Sequence, residues 1–329
     1  MGYREQNAKV NEKMKRVKRV FLCILAFLIV GLLIFSNFYP PESWKYYFSM
    51  PKLEKRQEKE MRVHFIDVGQ GDCIFIELPD GKTMLIDGGG SGAKTEKTVL
   101  RYLNALKIDT VDHLVITHAD NDHCGSIGEV ARWKKILNAY LPAVSDITSG
   151  EYAEAYAELS KQKSTLIKTD RTLDLSKDGE TPYTLSFLYP YTQSMATGDN
   201  EGSSVLWLDY KGVSILFTGD APTAVEGELL RDDQYGFFKD KGVELSDTEI
   251  LKVAHHGSAY STSMELLTYL NLQTAILSCG KGNAYGHPAN EVLEKLEIVG
   301  ADVYRTDEVG HIIVTVLQDG TYSTKTVKS

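Results

Sequence analysis

The sequence predicts an α/β domain, with sheets covered by helices, carried behind a single N-terminal apolar span. Three observations lead there. From about residue 61 onward, short apolar β-branched runs alternate with segments of helical periodicity, the pattern of helices laid over sheets. Near the N-terminus "VFLCILAFLIVGLLIF" (20–35) holds sixteen apolar or small residues without a charge. Several strand-like runs end in Asp or His, which places ligand-capable side chains on loops at the ends of a rigid scaffold. With 329 residues, 43% hydrophobic and 25% charged, the chain has the composition of a folded protein with room for one large or two modest domains. A net charge of −9 argues against a general electrostatic grip on nucleic acid. It leaves phosphate chemistry open, because a bound metal ion supplies positive charge locally.

About 20 apolar residues span a bilayer, so residues 20–35 with the following "SNFY" reach across. Arg4, Lys9, Lys13, Lys15, Arg16, Lys18 and Arg19 precede the span, against Glu5 and Glu12. The positive-inside rule then gives a basic cytoplasmic segment at 1–19, a transmembrane anchor at 20–39 and the remainder outside the cytoplasm. A cleaved signal peptide is the rival reading. "SNFYPPESW" lacks a small-x-small cleavage site, and Cys23 lies inside the apolar run rather than after it, so a retained single-pass anchor in the cell membrane is expected. Residues 40–60, with prolines and charges, form a linker, and 61–329 the globular domain.

Within that domain "GDCIFIELPDGKTMLIDGG" reads as strand, Asp-Gly hairpin turn, strand. "KTVLRYLNALKI" is helical, "VDHLVIT" a strand and "SIGEVARWKKILNAY" a helix. Residues 142–182 form a polar excursion with a helix at "GEYAEAYAELSKQK". Strands follow at "TLSFLYP", "SSVLWLDY", "VSILFTG" and "TEILKVA", then a helix near "STSMELLTYLN" and the strand "TAILSC". A helix at "ANEVLEKLEIVG" and strands at "DVYR" and "HIIVTVL" complete the pattern, with no repeat of fixed period. Cys73 and Cys279 lie in or beside apolar strands as small core residues, and the wide, odd spacing of the cysteines gives no disulfide framework.

The densest signal is "LVITHADNDHCGS" (114–126), where a core strand runs into His118, Asp120, Asp122 and His123. Two carboxylates packed together raise one another's pKa, and a divalent cation removes that conflict. His with Asp is a ligand set for zinc or manganese; a solvated Asp-rich turn is the rival. Four more strand ends favour the metal: "MLIDGGG" ends in Asp87, "ILFTGD" in Asp220, "LKVAHHGS" in His255 and His256, and "ILSCGKGNAYGHP" carries His287.

The ordered series "IDGG", "THADNDHCGS", "NEGSSVL", "FTGD", "KVAHHGS", "NAYGHP", "YRTDEVG", with "IDVGQGDCIFIELPDG" at its head, resembles the metallo-β-lactamase-fold hydrolases. Within them it is similar to the extracellular hydrolase domain of ComEC-type competence DNA-uptake proteins, from about residue 62 to 316. Those proteins also carry a multi-helix channel region. One apolar span stands in its place here, so the resemblance implies the hydrolase and not transport. It implies an αββα sandwich with two divalent metal ions, zinc or manganese, along one sheet edge. His118 and Asp120 would hold the first ion, Asp122 and His123 the second, Asp220 would bridge them and His255 would complete the second site. The wider superfamily usually has a His at the place of Asp120 and another where "DNEGSSVL" offers Asn200; both departures harden the site and favour manganese alongside zinc.

Neighbouring side chains of an extended chain point to opposite faces, so the two histidines are not expected to share one metal. The resemblance implies His255 as the ligand and leaves His256 behind it or against substrate, with a structural hydrogen bond as the rival. His287 would meet a phosphate oxygen or the leaving group. Lys252 and Ser258 are candidate phosphate contacts, with a solvated strand residue as the rival for Lys252. Asp67, Asp72 and Asp87 are read as carboxylates holding loops behind the site, His64, His113 and His311 as structural, and Cys124 as a subsidiary ligand candidate. The expected chemistry is phosphodiester hydrolysis, two ions clamping the attacking and leaving oxygens. Asp122 would orient the water or take its proton, and His256 or His287 would stabilise developing charge. Three readings stay open: a nuclease or phosphodiesterase acting on DNA, a hydrolase of a cell-wall or teichoic-acid phosphoester, and a metal-stabilised binding module. The sequence points to no protein partner.

Overall fold

The computed structural model describes residues 2–38, 40–142, 150–191 and 200–328. Tyr39 of the expected anchor, residues 143–149 of the polar excursion and residues 192–199 lie outside the described residues. The chain divides into two compact units after Phe48.

In the first unit a single helix, α1 (Tyr3–Phe38), carries both the basic stretch and the apolar run. Its segment Val10–Ser36 is long and apolar enough to cross a membrane, and none of it is buried. Phe21, Phe27 and Leu33 stand in the open. A helix apolar all round needs an apolar surrounding. A 3-10 turn, Pro41–Tyr46, follows with proline in its first turn.

The second unit begins with β1 (Met61–Phe65), β2 (Ile74–Glu77), β3 (Thr83–Ile86), α2 (Ala93–Ala105), β4 (Thr110–Val115), α3 (Asn121–Cys124), α4 (Ile127–Trp133), β5 (Lys135–Leu141), α5 (Gly150–Lys161) and β6 (Thr165–Lys168). It continues through β7 (Thr184–Tyr189), β8 (Val205–Tyr210), β9 (Val213–Phe217), α6 (Thr223–Gln234), β10 (Ile250–Lys252), α7 (Met264–Tyr269), β11 (Thr274–Leu277), α8 (Asn290–Ile298), β12 (Asp302–Arg305), α9 (Thr306–Val309), β13 (His311–Val316) and β14 (Tyr322–Val327). Among the described residues the strands form one sheet of eight, in the order β14-β13-β1-β2-β3-β4-β5-β6, and one of six, β12-β11-β10-β9-β8-β7.

Alternation along the strands sets the layers. In β1, Met61, Val63 and Phe65 enter the core between the sheets, packed with Leu206, Leu208, Ile215 and Phe217 of the second sheet. The intervening His64 faces the other way and meets the Tyr102 hydroxyl of α2 at 3.0 Å. The Phe65 and Phe217 rings stack across the layers with centroids 6.4 Å apart. On the far side of the second sheet, Val225 and Leu229 of α6, Leu266 and Leu267 of α7, and Val292 and Leu296 of α8 pack on Trp207, Leu216 and Leu251. The result is the expected αββα sandwich. Parallel pairs β3–β4–β5 and β9–β10–β11 are joined by crossover helices, so the C-terminal ends of each set lie at a common edge.

Four local expectations need correction. The single helix read over "SIGEVARWKKILNAY" stops at Trp133, because Lys134 turns extended (φ −123, ψ 143) and the next residues pair with β4 on one side and β6 on the other. Sheet pairing there overrides the helical propensity of a Lys- and Leu-bearing run. The polar excursion contributes β6, an edge strand whose exposed Thr165 and Lys168 hid it. Helix α6 went unread because its sequence, TAVEGELLRDDQ, is acidic and weakly patterned. Strand β14 follows the Asp319-Gly320 turn and alternates half-buried with exposed residues, a polar edge strand.

Candidate metal centre

The first parts of the site come from the loops after β3 and β4. Asp87 sits in the left-handed region (φ 58) and is fully buried. Its Oδ1 accepts the Thr117 backbone N–H at 2.8 Å and its Oδ2 the Thr117 hydroxyl at 2.7 Å. Oδ2 also lies 2.8 Å from His123 Nδ1. Asp87 therefore stands behind His123 and turns its other nitrogen forward. The one-turn helix α3 is preceded by the extended Asp120, whose carbonyl accepts His123 N–H at 3.1 Å. The loop before β2 closes against it: Asp72 N–H donates to the Asp122 carbonyl at 3.1 Å. Gly71 (φ +126) permits this approach, since a Cβ there would come within 2.2 Å of the Asp122 oxygen.

The double histidine departs from the extended chain expected of it. His255 (φ 51, ψ 43) and His256 (φ 55, ψ 20) are consecutive left-handed residues, each costing of order 1–2 kcal/mol. The turn is held by His255 N–H on the Gly219 carbonyl at 3.0 Å and by Gly257, where a Cβ would lie 2.5 Å from Pro288. In this turn the two rings do not point to opposite faces. Both Nε2 atoms lie 3.6 Å from Asp220 Oδ2. An extended chain that parts the two rings is therefore not what forms here. His256 is buried with Nδ1 on the Ser278 carbonyl at 2.9 Å, whereas the His255 side chain is 26% exposed.

Asp220 is the centre of the arrangement. His123 Nε2 lies 3.2 Å from its Oδ1, and His118 Nε2 lies 4.0 Å from its Oδ2. His118 Nε2 is also 3.7 Å from Asp120, and His256 Nε2 3.3 Å from Asp122. Asp72, His123, Asp220 and His256 form a fully buried group whose ligand atoms lie within 4.8 Å of one another. Within it Asp72 occupies the Nδ1 side of the rings, 3.4 Å from His256 Nδ1 and 4.0 Å from His123 Nδ1, and is neutralised by Lys252 Nζ at 2.7 Å. Asp220 and Asp122 occupy the Nε2 side.

These residues fit a metal ion. His118 Nε2, His123 Nε2, His256 Nε2 and Asp220 Oδ1 are buried without a hydrogen-bond partner, a state that costs about 1–3 kcal/mol for each group. The other nitrogen of each ring is engaged: His123 Nδ1 by Asp87, His256 Nδ1 by the Ser278 carbonyl, and His118 Nδ1 by the Thr117 hydroxyl at 3.1 Å. Imidazoles fixed through Nδ1 and open at Nε2 are oriented as metal ligands are.

Electrostatics agree. Burial alone would push the Asp220 carboxyl up, but His123 and His256 hold it well below the usual carboxylate range. Burial would push His123 down, yet Asp220 and Asp87 hold it well above the usual value. His256 rises to about 9 against the same burial, through Asp220 and Asp72. The imidazoles and carboxylates thus favour one another's charged forms, and a bound cation would take over the imidazoles' share of that balance with release of protons.

Residues 66–281 match the metallo-beta-lactamase superfamily. The chain belongs to that superfamily. ComE operon protein 3 of Bacillus subtilis is 30% identical over 268 residues, covering 77% of this chain and 33% of that protein. Recombination protein 2 of Haemophilus influenzae is 31% identical over 278 residues, covering 83% and 31%. Endoribonuclease ysh1 of Schizosaccharomyces pombe is 26% identical over 181 residues, covering 48% and 22%. The chain therefore spans a third or less of the length of these relatives. As a member of the superfamily it resembles the hydrolase domain of ComEC-type competence proteins.

The superfamily fold brings His118, Asp120, Asp122, His123, Asp220, His255 and His256 together. His287 joins the margin, its ring centroid 5.5 Å from that of His255 and its Nδ1 without a partner. Asp120, Asn200 and His255 line an open cleft of about 580 Å³ with Glu201, Pro222, Thr223 and Tyr260; Asn200 Oδ1 also has no partner.

Lys252 is neither a phosphate contact nor a solvated residue. It is fully buried, with Nζ on Asp72 and on the Val253 carbonyl at 2.9 Å. Ser258 is buried, and its Oγ accepts Tyr260 N–H at 3.3 Å, a turn bond rather than a substrate contact. Cys124 is pushed up to about 12 by burial and by Asp87, and its thiol donates to the Ala119 carbonyl at 3.3 Å.

His64 bonds Tyr102 and Glu77, and His113 meets the Tyr140 hydroxyl at 3.2 Å. His311 Nδ1 accepts Asp67 N–H at 2.9 Å, so His311 and Asp67 serve the β1 loop. Asp72, read as a carboxylate behind the site, lies on the Nδ1 side of the histidine rings within the buried group; its pairing with Lys252 has no local signal in "GQGDC".

Proposed function

We propose that this chain is a membrane-anchored, metal-dependent phosphodiester hydrolase working outside the cytoplasm, with DNA as its substrate. The observation that carries this reading is the convergence of partnerless, buried Nε2 atoms on Asp220 beside an open cleft. His118, Asp120 and Asp220 would hold one divalent ion, zinc or manganese, and Asp122, His123, Asp220 and His256 a second. That assignment exchanges His256 for His255 in the second site and leaves His255 at the cleft. Bound there, the ions would neutralise phosphate charge and activate water.

The chain's own residues do the rest. Asp122 is partly open to solvent, its side chain 31% exposed, and is held below the usual carboxylate range by His256 and His123 despite its burial. It orients the attacking water and accepts its proton. His287 stands at the margin with Nδ1 unengaged and steadies charge developing on the leaving oxygen. A structural metal site closes its coordination, whereas this one opens on a cleft; that weighs against a mere binding module. The names of the relatives, recombination and endoribonuclease among them, support a nucleic-acid phosphodiester. The net charge of −9 favours a second reading, a cell-wall or teichoic-acid phosphoester. Purified protein with manganese or zinc, assayed on DNA, RNA and wall polymer, should cleave DNA; turnover of wall polymer alone would move the substrate, and no turnover of any would end the hydrolase reading.

Two further outcomes are expected. Protease added to intact cells should remove the domain beyond α1, while full protection would place it inside. His256→Ala should strip more metal than His255→Ala, because His256 belongs to the buried group and His255 does not. Elemental analysis of both purified variants decides this, and the opposite ranking would restore His255 to the second site.

A further inference from the structure

Two large aromatic side chains stand bare at this site. Tyr260 is 80% exposed and Tyr285 71% exposed. Single exposed aromatics are ordinary on a protein surface; these two differ in where they stand and how they are held. Tyr260 borders the cleft that Asp120, Asn200 and His255 also line. Its backbone is fixed by Thr223 N–H on its carbonyl at 3.1 Å and by its own N–H on Ser258 Oγ. The Tyr285 ring stacks on His287, with centroids 5.8 Å apart and planes 25° apart, and His287 in turn neighbours His255. Asn283 holds that loop: its Oδ1 accepts the N–H groups of Tyr285 and His287, each at 3.1 Å, and its Nδ2 donates to the Gly280 carbonyl at 2.9 Å. Both backbones are therefore set while both rings offer an open face, and a tyrosine ring immobilised on binding loses little entropy.

Resting on the phosphodiester reading of the site, we infer that Tyr260 and Tyr285 are stacking platforms for unstacked nucleobases flanking the scissile phosphate. The substrate class is then a nucleic-acid strand with accessible base faces. Base-on-ring stacking suits this, because every base has a π face and none needs to be read by hydrogen bonds. A polyol-phosphate wall polymer has the same phosphodiester and no such face. A paired duplex buries its faces against one another.

The test reads binding apart from cleavage. The full chain in detergent, under chelation so that nothing turns over, is titrated with a labelled oligothymidylate and with an abasic strand of equal length. The two probes carry the same phosphates, so their ratio of dissociation constants isolates the bases. Wild type should prefer the base-bearing strand. Tyr260→Ala and Tyr285→Ala should each reduce that preference by about 5- to 150-fold, and Tyr260→Phe and Tyr285→Phe should keep it, since stacking needs the ring and not the hydroxyl. Equal affinity of wild type for both strands, or a preference that survives in the Ala variants, overturns the inference. Cleavage by wild type is scored separately, so loss of the hydrolase reading and loss of the stacking platforms give different results.

Discussion

Asp122→Asn should cut phosphodiester hydrolysis by at least about 10²–10⁴-fold, the range lost with a general acid–base group, while the domain stays folded. Asp122 lies on the one-turn helix α3, and its neighbours His123 and Cys124, not Asp122 itself, point into the protein. Its side chain is 31% exposed with Oδ2 3.3 Å from His256 Nε2. The amide matches the carboxylate in volume and keeps an oxygen that can donate to a cation. What it loses is the charge that lets the group orient water and accept a proton. Metal content should therefore fall far less than the rate. Asp220→Asn is the contrast: four imidazole Nε2 atoms lie within 4.0 Å of that carboxylate, so its loss should deplete metal and rate together. Rate and elemental analysis on the same preparations decide the matter. Near-normal turnover by Asp122→Asn would mean that the attacking water is activated elsewhere.

Much of this site was legible in the sequence because each ligand candidate ends a strand. A parallel strand buried between layers is a recognisable apolar run, and polar residues just after it fall at a common edge. That logic located His118 through His123, Asp220 and the double histidine without any distance. It failed where the backbone is unusual. Two consecutive non-glycine residues at positive φ leave no trace in composition, so the face of His256 could not be deduced. It failed again where partners lie far apart in the chain. Nothing local to "GQGDC" announces that Asp72 will meet a lysine from β10. Strands β5, β6 and β14 were lost for a third reason: one was read into the preceding helix, and the other two are edge strands whose polar side chains obscure the alternation.

Lys252→Met should destabilise the fold by about 3–5 kcal/mol, the loss expected when one partner of a buried ion pair is removed. Lys252 has no exposed surface, and Asp72 is 1% exposed, so the 2.7 Å contact between them is shielded from water. Exposed pairs are worth about 0–1 kcal/mol; burial makes the difference here, through the charge that is left behind. Burial by itself would push the Asp72 carboxyl up, and Lys252 is the foremost influence holding it below the usual range, ahead of His256 and His123. Methionine fills the lysine's path through the core but leaves that carboxylate facing only the two imidazoles. Those imidazoles are committed to Ser278 and Asp87 through the same nitrogens that Asp72 approaches. Replacing both partners, as Asp72→Asn with Lys252→Met, removes the stranded charge and should recover most of the loss, since a buried pair exchanged for neutral groups is often close to neutral in stability. Denaturant midpoints of the wild type, both single variants and the double variant close the cycle. A single-variant loss below about 1 kcal/mol would class the contact with exposed pairs. It would mean that the lysine and its partner reach water in solution.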